Sequence, residues 1–201
     1  MKSFKANLSE AAGKNTHMTH IEDLVLDGGV KGARQAILAL RSLRDMLAGN
    51  TSTAVDVTVK WDGAPAVFAG EDPSDGKFFV AKKGIFNANP KVYKSHEDIK
   101  DDTKGDLQGK LIKAFDNLKG LGIKEVIQGD FMFEKKDLKT ESINGIKHIV
   151  FHPNTIAYAI PLDNPLAKTI AASEIGIVWH TSYKGVAFET MTAEFGRDIV
   201  K

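Results

Sequence analysis

The run Lys60-Trp61-Asp62-Gly63 holds the residue types best suited to covalent chemistry in this chain. Before it, Val55, Val57 and Val59 alternate with Asp56, Thr58 and Lys60. That period of two predicts a half-buried strand over 54–60, with Lys60 on the face opposite the valines. Gly63 and Pro65 then force the chain to turn. A lysine held at a strand end beside a carboxylate can act as a nucleophile. Its amine must be neutral to attack, and its ordinary pKa is about 10.4. Neighbouring cations, burial or a metal ion must therefore lower it. Asp62 is expected on the same side, where it can orient the amine or a ribose hydroxyl. Lysine before Asp-Gly is also an ordinary strand-to-turn ending.

Further candidates lie downstream. From Lys77 to His96 there are five lysines and no acidic residue, with Lys82 and Lys83 in Ala81-Lys82-Lys83-Gly84. Such a stretch can hold phosphates, or can be a solvated hairpin edge. In Val126-Ile127-Gln128-Gly129-Asp130-Phe131, Gln128 and Asp130 share one face of an apolar strand. A carboxylate there is costly to bury unless it is paired or metal-bound. Tyr158 sits in the strand Thr155–Ile160, and His180 ends Ile175-Gly176-Ile177-Val178-Trp179-His180. His17 and His20, beside Glu22 and Asp23, suit a metal or, more commonly, a capping role. His152 and Asn154 read as a turn leading into the Tyr158 strand.

Lys-x-Asp-Gly resembles motif I of the covalent nucleotidyltransferases: ATP-dependent DNA ligases, RNA ligases and capping guanylyltransferases. The wider run THMTHIEDLVLDGG, with VKWDGAPAVFAG, also resembles uncharacterised tailed-phage proteins that carry this motif. The likeness covers about residues 55–185. It implies a ligase-type nucleotidyltransferase (ATP-grasp-like) domain in which Lys60 attacks the α-phosphate of ATP, aided by Mg2+. It also implies that Lys82 or Lys83 binds phosphate, that Asp130 binds metal or ribose, and that Tyr158 stacks on the base. The adenylate would pass to a 5′-phosphate at an RNA or DNA end. Where the family carries a metal-linked glutamate before the motif IV glycine, this chain has Ile175, so the resemblance leaves Glu174, one residue early, to join Asp130 as a metal ligand. His180 stands at the motif IV lysine position and can contact a phosphate or ligate a metal. No motif V lysine pair follows before Lys201, so the chain either continues past that residue or lacks the pair. The alternatives are an impaired nucleotide-binding or nucleic-acid-end-binding module, and a phage structural or assembly protein.

These residues need elements to position them. Ala36, Ile37, Leu40, Leu43 and Leu47 predict a helix over 31–48 after Gly28-Gly29, and Leu107, Leu111, Phe115 and Leu118 predict another over 106–119. Apolar runs at 65–70 and 77–82 flank a turn-rich insert and predict a hairpin. Strands are expected at 125–133, 147–151, 155–160 and 175–180, with a short helix at 165–173. The class is α+β, with antiparallel-rich sheets and flanking helices. A polar segment, 1–30, is expected to precede a domain over 31–201.

Composition bounds the rest. The 201 residues carry 27 Lys+Arg against 26 Asp+Glu, and 42% are hydrophobic, which suits a folded domain. There is no cysteine, which excludes disulfides and thiolate chemistry. Neither a signal-peptide core nor a membrane-length apolar run is present. No Walker-type or Gly-x-Gly-x-x-Gly loop occurs. The expectation is a cytoplasmic monomer, in the host cytoplasm if phage-encoded, with no membrane partner.

Overall fold

The computed structural model describes residues 20–50, 60–87 and 89–195. The chain divides into two compact units, Met1–Lys60 and Trp61–Lys201. In the first, helix α1 spans Ile21–Leu47. The Asp23 carboxylate accepts a hydrogen bond from the His20 backbone N–H at 2.9 Å, and His20 Nδ1 lies 3.4 Å from Glu22. His20 thus marks a helix start. The helix begins ten residues before the expected position. Gly28-Gly29 produces a kink inside it instead of a boundary, with Gly29 at φ 51 and ψ -136. The domain break expected at residue 30 therefore falls within α1. The strand expected over 54–60 lies outside the described residues except for Lys60, which is exposed and not in a strand.

The second unit is α+β. Its strands are β1 Ala66–Glu71, β2 Phe78–Ala81, β3 Val126–Glu134, β4 Lys139–Ile143, β5 Ile146–Phe151, β6 Tyr158–Pro161, β7 Ile175–Lys184 and β8 Thr192–Phe195. Its helices are α2 His96–Asp102, α3 Gly105–Leu118 and α4 Pro165–Ala172. One sheet runs β2-β1-β3-β7-β8 and a second runs β4-β5-β6; every pairing is antiparallel. Among the described residues, no helix is long and apolar enough to cross a membrane.

Three apolar clusters hold the unit together. The spacing of Leu111, Ala114, Phe115 and Leu118 gives α3 one buried face. That face meets Val67, Ala69, Ile127 and Phe131 of the large sheet, with Ile177 and Trp179 packed at the margin. On the opposite sheet face, Phe68, Phe79, Val126 and Tyr183 form a second cluster with Ile85 and Phe188. A third joins Met132 and Phe133 to Ile149, Phe151 and Ile160 of the small sheet and to Ala167 and Ile170 of α4. Fully burying each Val, Leu, Ile, Met or Phe side chain among these contributes about 1.5–3 kcal/mol.

The pairing of β3 with β7 is interrupted twice. Gln128 faces Thr181 while Gly129 faces Trp179, so His180 is an extra residue in β7. Phe131 faces Ile177 while Phe133 faces Gly176, so Met132 is extra in β3. Bulges re-aim side chains and strengthen local twist. Beyond the second, Phe133 joins the small-sheet cluster and Glu134 pairs with Lys113 of α3.

Candidate functional site

Lys60 is bonded directly to Trp61, and the Trp61–Pro65 segment is pinned at nearly every residue. The Trp61 ring stacks on Tyr158, with centroids 4.8 Å apart. Asp62 N–H donates to the Tyr158 hydroxyl at 2.8 Å, and that hydroxyl also lies 3.1 Å from Asp62 O. Asn154 Nδ2 donates to Asp62 Oδ2 at 2.9 Å. Gly63 N–H reaches Asp130 Oδ2 at 3.4 Å. Ala64 N–H donates to Phe131 O at 3.0 Å, and Phe131 N–H donates to Pro65 O at 2.9 Å. The Ala64–Pro65 peptide is cis. Gly63 has no room for a side chain: a Cβ there would lie 2.6 Å from Phe131 O and 2.7 Å from Met132 Sδ.

Asp130 lies opposite Ala66 on β1 and Val178 on β7, with its side chain largely buried. Besides the Gly63 contact, its carboxylate has His180 Nε2 at 3.7 Å. Both contacts are long for a carboxylate so little hydrated, and buried polar groups ordinarily find closer partners. His180 Nδ1 is 2.7 Å from Thr181 Oγ1. Asp62, Asp130, Tyr158 and His180 therefore form one constellation, which also includes Trp61 and Asn154.

Other expected residues lie apart or are already engaged. Asp62 binds Asn154, so its carboxylate serves to hold the loop. Tyr158 has Trp61 and Phe151 near-parallel to its ring, at 4.8 and 5.5 Å, and its hydroxyl is tied to Asp62. It anchors the Lys-Trp-Asp-Gly run. Glu174 does not join Asp130: it lies beyond the Glu134–Ile175 end of the β3–β7 ladder, four residues along β3. Its carboxylate meets Lys135 Nζ at 2.7 Å, which holds it below the usual glutamate range. The expected Asp130–Glu174 metal pair is thus not assembled. Among the described residues, no three His, Asp or Glu side chains cluster as metal ligands. Asp130, with its long contacts, fits a single divalent ion that takes its other ligands from phosphates and water.

The lysine stretch is not the free basic surface its local sequence suggests. Lys82 pairs with Asp102 at 2.8 Å, Lys91 pairs with the same carboxylate, and Lys94 pairs with Asp72 at 2.8 Å and Asp75 at 3.0 Å. Lys77 is 3.8 Å from Asp75. Acids before and after the stretch neutralise it, leaving Lys83 exposed and without an ion pair among the described residues. The phosphate-binding expectation narrows to Lys83.

Hydrogen bonds from Lys82, Lys91 and Tyr93 hold the Asp102 carboxyl well below the usual range. This stabilisation is present above the unfolded pKa of about 3.9 and is lost as pH falls toward the folded value. Asp102→Asn should therefore destabilise the protein at pH 7, by a margin that narrows below about pH 4. Urea unfolding of both proteins at pH 7 and pH 3 measures that margin; an equal margin at both would refute the linkage.

One positioning group, Lys110, carries no strong signal in the sequence. Lys110 of α3 places Nζ 3.4 Å from Ala64 O and 5.7 Å from the centre of the Phe131 ring. Its i,i+4 partner Asp106, at 3.0 Å, was the available signal, but it identifies a helix surface and no target. Asn154, expected as a turn residue able to reach a pocket, holds Asp62 from that turn. A depression of about 390 Å3, lined by residues including Glu71, Asp72, Lys124 and Tyr183, contains none of the Lys-Trp-Asp-Gly residues. The hydrogen-bonded constellation is the better guide to chemistry, because its polar groups converge.

Among the described residues, the second unit is an α+β fold of two antiparallel sheets, with the Trp61–Pro65 turn clamped between a strand of each. Residues 15–201 match DUF6267, a family of unknown function, and the chain belongs to that family. No curated protein and no solved structure shows significant similarity to it.

Proposed function

We propose that this protein is an ATP-dependent nucleotidyltransferase of the ligase type, with Lys60 as its covalent nucleophile. The observation that carries the reading is the convergence on Asp62-Gly63 of Asp130 and Tyr158, residues from strands far apart in sequence, in the order the resemblance implies. The Lys60 amine, once deprotonated, attacks the α-phosphorus of ATP. A P–N bond forms, the bond to the β-phosphate bridging oxygen breaks, and pyrophosphate leaves. Mg2+ bound at Asp130 would supply charge neutralisation of the phosphates. Asp62, held by Asn154, and Gly63, held by Asp130, fix the backbone next to the nucleophile, and pre-set geometry lowers the barrier to attack. Lys83 and His180 are the cationic or protonatable groups proposed to meet phosphate. The adenylate then passes to a 5′-phosphate of an RNA or DNA end, in the cytoplasm.

The test is incubation of the full chain with α-labelled ATP and Mg2+, followed by a denaturing gel. An acid-labile, alkali-stable adduct is expected; its absence at saturating ATP overturns the covalent reading. A second reading, nucleotide binding without transfer, is favoured by one observation: Glu174 is engaged with Lys135, away from Asp130. Calorimetry that shows ATP binding without an adduct selects it.

A further inference from the structure

Gln128 is a polar residue that the proposed reaction does not use. It is 6% exposed, in the middle of β3. Its cross-strand partner on β1 is Phe68, so it shares the sheet face that carries Phe68 and Tyr183, opposite the face covered by α3. The Tyr183 hydroxyl donates to Gln128 Oε1 at 2.5 Å. Tyr183 is itself fixed by aromatic contacts with Phe68 at 5.9 Å and Phe86 at 4.7 Å. With its oxygen claimed, the carboxamide can turn only its NH2 outward. That nitrogen has no hydrogen-bond partner among the described residues. It is also not sealed: among the described residues the fully buried side-chain atoms without a hydrogen bond are Glu134 Oε2, which is ion-paired to Lys113 and Lys136, and Ser182 Oγ. The next residue along the same face is Asp130.

A nearly buried amide locked in one orientation, with its donor unmatched and open, is arranged to meet an acceptor brought from outside. We propose that Gln128 is a ligand-reading residue, donating from Nε2 to an acceptor atom of the nucleotide held beside Asp130. The acceptor is a ring nitrogen of the adenine base or an oxygen of the ribose. This rests on the nucleotide reading. It adds a recognition contact at the aromatic end of the site, where Phe86 is only half-buried and offers an apolar surface to a planar group.

The experiment is calorimetric titration of the full chain with ATP, and of Gln128→Met and Gln128→Glu variants that hold the side-chain length. Parallel titrations use 7-deaza-ATP and 2′-deoxy-ATP. The methionine variant should lose about tenfold in affinity, about 1.4 kcal/mol, the loss expected for one well-placed hydrogen bond. The glutamate variant should lose more, because it replaces the donor with an acceptor beside Asp130. An analogue that weakens the parent but not the methionine variant identifies the acceptor. Side-chain amide NMR of the parent needs no variant to fold: the Gln128 NH2 signals should shift and exchange more slowly on ATP addition. ATP binding with unchanged Gln128 signals and equal variant affinities overturns the proposal and leaves the nucleotide reading standing. Absence of ATP binding by the parent overturns both, before any variant is compared.

Discussion

Lys60→Arg should abolish the labelled adduct, by at least about a thousandfold, while changing ATP affinity less than about tenfold. Arginine keeps the charge and length of the side chain, but its guanidinium does not deprotonate in proteins and offers no free electron pair. A purely electrostatic role for Lys60 would survive the change; a nucleophilic role would not. Lys60 is exposed, so the melting temperature should stay within a degree or so of the parent's. Quantitative autoradiography at saturating α-labelled ATP provides the readout. An adduct that persists in Lys60→Arg places the nucleophile elsewhere.

Phe131→Ala should have the largest effect on stability. Phe131 is 1% exposed in the α3-side cluster. Its truncation removes the transfer energy of the ring and leaves a cavity, at a cost of about 3–5 kcal/mol. For a protein of this size that corresponds to a fall in melting temperature of about 6–20 °C, measurable by calorimetry. The loss should reach the site as well. Phe131's backbone holds Ala64 and Pro65, and its ring lies beneath Lys110. ATP affinity should therefore fall even at temperatures where the variant is fully folded. A variant with parental melting temperature would show that the cluster refills the space.

Most large elements were legible because their burial repeats with a clear period. The α3 face of Leu111, Phe115 and Leu118 repeats every three or four residues, and the expected 106–119 lies within one residue of the helix found. The β1–β2 hairpin was legible from the turn formers between Glu71 and Gly76. Strand β4 was not, since all five of its residues are exposed and no apolar alternation marks it. Its one signal was Asn144-Gly145, both at positive φ, which closes the β4–β5 hairpin. Helix α2 was missed for a similar reason: at seven residues it buries only Ile99, and its signature is the Ser95–Asp98 capping box.

The candidate site divides along the same physical line. Lys60 and its turn can be read from the chain alone because a local motif carries its own chemistry. So can the apolar β3 strand with a carboxylate in it. Which groups meet those residues depends on contacts between segments far apart in sequence. The two bulges decide that His180 comes within 3.7 Å of Asp130 and that Glu134 faces α3, and strand period by itself does not reveal where a ladder slips. The acid-free lysine run reads as a phosphate surface until Asp72, Asp75 and Asp102 fold back onto it. Tyr158 reads as a free stacking face until Trp61 lies against it. Local sequence determined the residue types and their faces; tertiary structure decided which charges are neutralised, which ring faces are covered, and which donor is left open.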